Sequence, residues 1–471
     1  MKELYGRKAR LAALLSLSVA ALSGCALQSE VPPLDQSDVP AAWLAPVTSD
    51  AMVWPAVNWW ESFGDSELTT LITQVQAGNF DLANNQRNLQ AAQINLREAQ
   101  FNLLPRASLT IGTGASYSDT RVDGLQNSGS TGSPFDVAGS ISYTDILSKP
   151  AVYTQALADY DSRAAQVADV ALNTLGTSAS TYFQLLLIRD KTTAARQNVA
   201  NAEAIAEIAN ARVAAGVAVP IEALQQQIAL QRERASLSSL LQSDLAARAS
   251  LALLSGRGVQ GFDIAGQTLA NIAVPKVQPG LPSELLLRRP DLVQAEAQLR
   301  STVAGLDIAR SDFFPSISLT GGLNTSSTSL SELVTSPDVY FRSSAAILQT
   351  LLDTGQRTRT VERTRLTLGS SLSTYRRTVL AAFNEIEVLL SSIQLQTEQV
   401  NVAQQNLSAA EESFRIAQVR YEEGVTDFQT VLTSQNTLFS SRNAYLDSKL
   451  QQLNTAVSLY QALGGGWQPA E

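Results

Sequence analysis

Histidine is absent from all 471 residues and cysteine occurs once, at Cys25. Without histidine there is no Ser-His-Asp type of triad, and one cysteine cannot make an intrachain disulfide or a zinc site. Aromatic residues are 6% and charged residues 16% of the chain. Ala, Gln, Ser, Leu, Asn and Thr take their place, a mixture suited to long helices with thin apolar seams and two wetted faces. Formal net charge is -9 with no basic stripe, which argues against a nucleic-acid partner. The carboxylates are scattered along helix surfaces with no convergent pair, and Gly464-Gly465-Gly466 precedes no helix that could cradle phosphate. These absences predict a protein that is not an enzyme and holds no metal or cofactor. Beyond the N-terminal region no apolar stretch approaches 18 residues, so no transmembrane helix is expected. If the chain crosses a membrane, strands must do it.

What is present begins at the N-terminus. Lys2, Arg7, Lys8 and Arg10 precede an apolar stretch over 11–22, too short to span a bilayer and of the form of a secretory signal. Leu22-Ser23-Gly24-Cys25 then matches the bacterial lipobox, in which small residues precede a lipid-accepting cysteine. The match implies a signal peptide over 1–24, cleavage before Cys25, a diacylglycerol on its sulfur and an acyl group on its new amine. Several acyl chains anchor firmly where one is marginal. Ala26, not aspartate, follows, which by analogy favours the outer membrane. The alternative is a spare cysteine at the end of a plain signal. Residues 1–24 carry four cations and one anion, so the chain from Cys25 onward stands near -12.

The rest of the chain contains itself twice. "NFDLANNQRNLQAAQINLREAQFNLLPRASLTIG" begins at Asn79 and "RPDLVQAEAQLRSTVAGLDIARSDFFPSISLTGG" at Arg289. Asp81 aligns with Asp291, Leu89 with Leu299, Leu96 with Leu306 and Pro105 with Pro315. Arg212-Val213-Ala214-Ala215-Gly216-Val217 aligns with Arg420-Tyr421-Glu422-Glu423-Gly424-Val425 at nearly the same offset. A period of about 210 residues is far beyond a solenoid repeat and marks a duplicated half. Each half reads as a helix (66–103, 283–312) ended by a proline, two strands, a very long helix (151–213, 356–421), a glycine turn and a last helix (220–255, 427–462). A 60-residue helix is roughly 90 Å long. Gly176 and Gly369 weaken the two long helices locally. The domains so defined are 1–24 signal, 25–65 lipidated N-terminal segment, 66–255 first repeat, 256–282 linker, 283–463 second repeat and 464–471 tail.

Period-two alternation marks the strands. Over 106–118, Ala107, Leu109, Ile111, Ala115 and Tyr117 share one face opposite Ser and Thr. Residues 135–147 and the stretch around Ile317, Leu319 and Leu323 repeat it, and 339–349 does so less cleanly. A membrane barrel with a wet lumen and a half-buried soluble sheet both alternate in this way. Four strands cannot close a barrel, and an open edge in lipid leaves unpaired N–H and C=O groups. Two copies would make eight strands with a filled interior, three would make twelve with a passage. Loops 118–133 and 328–337, rich in Ser, Gly, Thr and Asn, suit exposed hairpins.

In the last helix Leu432, Phe439, Leu446, Leu453 and Tyr460 recur every seven residues beside Val431, Leu438 and Tyr445. A heptad implies left-handed supercoiling against a neighbour. A two-stranded coiled coil satisfies it, and so does a ring of helices continuing a ring of strands.

Three stretches carry a family resemblance: "LPSELLLRRPDLVQAEAQLRSTVAGLDIARSDFFPSISLTGG", "WWESFGDSELTTLI" and "RYEEGVTDFQTVLTSQNTLF". Over essentially the whole mature chain the sequence resembles TolC-type outer-membrane efflux ducts, and the lipobox with RPD-x₃-AE resembles their lipoprotein branch, the OprM and NodT-like proteins. The resemblance implies a mainly α fold with a membrane β-barrel. Three chains would contribute four strands each to a twelve-stranded barrel, continuous with a periplasmic α-helical barrel and a mixed equatorial belt from 26–65, 256–282 and 464–471. It implies a homotrimer working with a periplasmic membrane-fusion adaptor and an inner-membrane pump, usually a proton-driven RND transporter, to export drugs and other small toxic compounds. Type I protein secretion is also served by such ducts, and a non-conducting tethering lipoprotein is the reading from outside the family.

By the same resemblance the turns after Arg212 and Arg420, with Gly216 and Gly424, lie at the periplasmic tip and meet the adaptor. Tyr421 matches a tyrosine of the constricting network, with helix-end packing as the plainer role. The family often has a carboxylate ring where this chain has Thr430 and Thr433. Asp427 lies nearby and also suits a helix N-cap.

Overall fold

The computed structural model describes residues 29–33, 39–40, 43–44, 55–113, 116–118, 121–122, 125–126, 130–132, 135–266, 268–275, 285–327, 330–335, 338–423, 425–465 and 467. Contacts divide the chain into two compact units: residues 1–33, 89–163 and 295–375, and residues 34–88, 164–294 and 376–471. Each unit draws on both sequence repeats.

The first helical stretch is two helices, α1 (Ser66–Gly78) and α2 (Phe80–Phe101). The single helix expected over 66–103 breaks because Asn79 takes an extended backbone and its Oδ1 accepts the Asp81 and Leu82 N–H groups, capping a new helix. The corresponding break in the second repeat falls between a turn at Leu285–Arg288 and α5 (Pro290–Ser311), where Pro290 has no N–H to continue the turn. Between them run α3 (Lys149–Ala214) and α4 (Pro220–Leu254), and α6 (Gln356–Glu422) and α7 (Phe428–Ala462) follow.

Unit 1 holds a four-stranded antiparallel sheet of β1 (Arg106–Thr113), β2 (Phe135–Tyr143), β3 (Ser316–Ser327) and β4 (Asp338–Leu348), in that order. The β2–β3 pairing stitches one repeat to the other. The alternation that continues past β1 becomes a separate short pairing of 116–118 with 130–132, with 121–122 against 125–126 beyond it, and Leu330–Thr335 is helical. The two segments read as loops therefore carry local structure. In the same unit, Leu306 and Ala309 of α5 pack on Val361 of α6. Asp307, almost buried, accepts from the Ser29 N–H at 2.9 Å and from its hydroxyl, and Arg310 reaches the same hydroxyl.

The main core lies in unit 2. Leu68, Leu71, Ile72 and Val75 of α1, spaced at i, i+3, i+4 and i+7, bury one stripe against Tyr182, Phe183 and Leu186 of α3, Leu251 of α4 and Leu453 and Val457 of α7. A 3-10 turn, Trp59–Phe63, closes the cluster: Trp59 stacks on Tyr460 at 5.3 Å and Phe63 meets Phe183 at 5.2 Å. Asp65 caps α1 through Oδ1 and accepts the Tyr182 hydroxyl through Oδ2 at 2.7 Å. Burial holds that phenol well above its ordinary pKa.

Two expectations change. By length and composition α6 does contain a stretch apolar enough to cross a membrane, with mean hydropathy 1.3. Its Val379, Ala382, Phe383, Ile386 and Leu390 are buried within unit 2, while Leu380, Val388 and Leu395 stay exposed, so packing within the chain covers one stripe of this helix and not its whole circumference. On α7 the buried seam runs through Val431, Gln435, Leu438, Leu446, Leu450, Leu453, Val457 and Tyr460, while Leu432 and Phe439 are half-buried. The seam therefore shifts by one residue between Leu438 and Leu446. A helix of 3.6 residues per turn drifts about 20° per heptad, and here the drift is released by a shift of position.

Candidate functional site

The sheet has two chemically distinct faces, and register keeps them distinct across all four strands. Leu109 pairs with Gly139, Gly139 with Leu323 and Leu323 with Phe341. Every odd-numbered residue thus joins one face, including Ile111, Val137, Ile141, Leu319, Val339 and Ile347. This apolar face is open: Ile111 is 75%, Phe341 74% and Ile347 72% exposed. The even-numbered face carries Ser, Thr, Gly and Asn, with Ser108 hydrogen-bonded to Ser140 at 2.8 Å and Thr320 to Ser344 at 2.5 Å. β1 and β4 are sheet edges, each lacking a partner strand on its outer side among the described residues. An apolar face of this size on exposed strands has no stable place in water, and unpaired edges have none in lipid.

The two helix-to-helix turns are built alike. After α3 the Val217 N–H reaches the Arg212 carbonyl at 3.0 Å and the Gly216 N–H reaches that of Val213 at 3.0 Å, with Gly216 at φ +74°. These bonds form a Schellman motif, and the left-handed position explains the glycine. After α6 the Val425 N–H reaches the Arg420 carbonyl at 2.8 Å, the same bond. The repeated Arg-x₃-Gly-Val is therefore a helix-stop device at both tips. Arg212 and Arg420 are exposed. Tyr421 falls in the last turn of α6, and Gly424 and Cys25 lie outside the described residues.

The restarts differ. Pro220 opens α4 without a side-chain cap. Asp427 caps α7, accepting the Thr430 N–H at 2.9 Å and its hydroxyl at 2.6 Å. Those two bonds hold the Asp427 carboxyl below the usual carboxylate range. Thr433 donates to the Gln429 carbonyl at 2.8 Å. Asp427, Thr430 and Thr433 are thus brought together on the first turns of α7, exposed, with both threonine hydroxyls engaged on their own helix.

The Arg289-Pro290-Asp291 motif is a clamp. The Arg289 guanidinium lies 2.8 Å from Asp291 and 2.8 Å from Glu385 of α6, and donates to the Ala462 carbonyl at the end of α7. Burial alone would weaken its charge, but the two carboxylates outweigh burial and raise its pKa. Two other repeated devices escaped sequence reasoning. Glu203 pairs with Arg234 at 2.7 Å and Glu411 with Arg442 at 3.2 Å. Gly256 (φ +70°) and Gly464 (φ +83°) end α4 and α7 in the same capping bonds, each so close that a Cβ would stand 2.0 Å from a carbonyl oxygen, that of Gly78 or of Arg288. The signal for all four was the constant offset between repeats.

Comparison with known proteins agrees with this geometry. The family model described as outer membrane efflux protein matches residues 71–257 and 281–465. The pyoverdine export outer membrane protein OpmQ of Pseudomonas aeruginosa is 33% identical over 96% of this chain and 97% of its own length. The probable outer membrane lipoprotein SilC of Salmonella typhimurium is 27% identical over 82% of this chain and 85% of its own length. The solved structure of the Campylobacter jejuni CmeC outer membrane channel superposes with a TM-score of 0.83 at 21% identity, covering 94% of this chain and 95% of that one.

Proposed function

The chain belongs to the outer membrane efflux protein family, a family of channels, and on that premise we propose that three copies join edge to edge into a lipid-anchored duct. One observation carries this reading: four strands in register, an apolar face open on one side, a polar face on the other, and both edges without a partner strand among the described residues. Pairing β4 of one copy with β1 of the next satisfies the edges. Twelve strands leave an aqueous lumen, where eight would fill with side chains. The polar face lines that lumen, and the long helices continue it as a tube into the periplasm. Cys25 carries the acyl anchor, a role supported by the lipobox and by a relative named as an outer membrane lipoprotein. The tips around Arg212, Gly216, Arg420, Tyr421 and Gly424 receive a periplasmic membrane-fusion adaptor, and an RND-type inner-membrane pump supplies the energy. Cargo passes passively; drugs and other small toxic compounds are the substrates. The gate closes without a carboxylate at Thr430 or Thr433, through other groups at the tips.

The test is assembly and conduction together. Protein extracted in mild detergent should cross-link as a trimer and conduct ions in planar bilayers, and deletion of the gene should raise susceptibility across a broad compound panel. A folded, water-soluble monomer without conductance, with susceptibility unchanged, overturns the reading.

A further inference from the structure

We propose that Arg342 makes one stretch of the barrel of this duct favour anionic solutes, acting as one member of a charge ring with the same residue from each copy. The proposal rests on the duct reading above. Register defines the rows of the polar face. Arg342 pairs with Gly322, Gly322 with Ser140 and Ser140 with Ser108. The residue beside Arg342 thus has no side chain to cover it, and the next two hydroxyls bond to each other. Arg342 is exposed and, among the described residues, forms no ion pair.

The neighbouring rows leave its charge uncompensated. The row toward the loops reads Thr110, Ala138, Asn324 and Tyr340, without charge. The row toward the helices reads Arg106, Ser142, Thr320 and Ser344, and its one charge is again positive. Acids enter only at the far row, where Asp136 and Asp338 both pair with Ser326. That row is four residues along the strand from Arg342, about 14 Å at ~3.4 Å per residue, and beyond a Debye length of about 10 Å at 0.1 M salt. The parity that turns Phe341 to the apolar face turns Arg342 to the wet one, where a guanidinium in a membrane must be.

Edge-to-edge assembly places β4 against β1 of the next copy, so Arg342 and Arg106 come from the two strands that meet. Three copies then line one stretch of lumen with six cations, set apart from the six carboxylates of Asp136 and Asp338 in the far row toward the loops. Rings of cationic side chains select anions in pores. Solutes bearing carboxylate, sulfonate or phosphate groups are the class this stretch would pass most readily.

The experiment is single-channel recording of the full-length protein across a tenfold potassium chloride gradient. Three cations about 10 Å from the axis, screened over a Debye length of about 10 Å, raise the anion and lower the cation partition about twofold each, and so change their ratio about fourfold. Arg342→Ala should therefore lower the chloride-to-potassium permeability ratio about fourfold, Arg342→Glu should lower it further, and Arg342→Lys should leave it unchanged. Arg342→Cys treated with a cationic methanethiosulfonate reagent should regain the parental ratio, and with an anionic reagent should fall below the untreated value. Channels that conduct normally with one ratio in all variants overturn the proposal. A parent protein that does not conduct removes the duct reading, and the proposal with it.

Discussion

Arg234 and Arg442, 208 residues apart in the chain, do the same work: each bridges a helix pair to a glutamate, Glu203 at 2.7 Å and Glu411 at 3.2 Å. Both pairs are about half exposed, so solvent and salt screen them. A double-mutant cycle at either pair, read from thermal unfolding, should return a coupling below about 1 kcal/mol. The couplings of the two cycles should add, since the pairs share no partner. A coupling above that range would mean that the pairs are shielded from solvent in the assembled protein.

The glycines at helix ends should separate into two classes. Gly216 sits at φ +74° in open space, so Gly216→Ala meets only the left-handed strain of about 1–2 kcal/mol. Gly464 sits at φ +83° with the Arg288 carbonyl oxygen where a Cβ would be, so Gly464→Ala must also displace backbone and should cost more, about 3 kcal/mol or above. Denaturant midpoints of the two variants compare them. Equal losses would show that the close approach is not the source.

Asp427 supplies the next test through pH. Its carboxyl is depressed in the folded chain by the Thr430 bonds, so the cap is at full strength above the ordinary aspartate value near 4 and is lost as pH falls through the lower folded value. Hydrogen exchange at the Thr430 amide, corrected for intrinsic rates, should speed up over that acidic range in the parent. In Asp427→Ala it should be fast at every pH. A Thr430 amide equally protected in both proteins would remove Asp427 as the cap.

The two sheet faces predict opposite tolerances. Leu323→Arg puts a guanidinium on the open apolar face, a change worth about 2–4 kcal/mol at a bilayer midplane. It should deplete the protein from the outer-membrane fraction. Ser140→Arg, on the other face of the same sheet, should insert at the parental level. Equal insertion of both variants would contradict the assignment of faces.

Cys25→Ser should abolish incorporation of labelled fatty acid while leaving barrel insertion in place, because the strands themselves span the bilayer. Continued labelling of that variant would move the anchor elsewhere.

Much of this was legible from residue order. Alternation at Leu109 and Ile111 and again at Leu319 and Leu323 marked strands because a pleated strand turns successive side chains to opposite faces. The alignment of Arg212 through Val217 with Arg420 through Val425 marked two equivalent tips, because the left-handed end of a helix favours glycine. The break at Asn79 was not legible, since its cap competes with a continuous helical pattern on both sides. Nor was the one-residue shift of the α7 seam between Leu438 and Leu446, which depends on what each turn of the helix faces.

The order of residues alone determined the elements, the duplication and the two-faced strands, since these follow from local sterics and periodicity. Only the tertiary structure decided how the elements meet. Pairing between β2 and β3 merges the repeats into one sheet, and Arg289 closes on Asp291, Glu385 and the Ala462 carbonyl. Gly464 is needed where α7 passes the Arg288 carbonyl. Such contacts join residues far apart in the chain, and their geometry is set by packing, which no local pattern records.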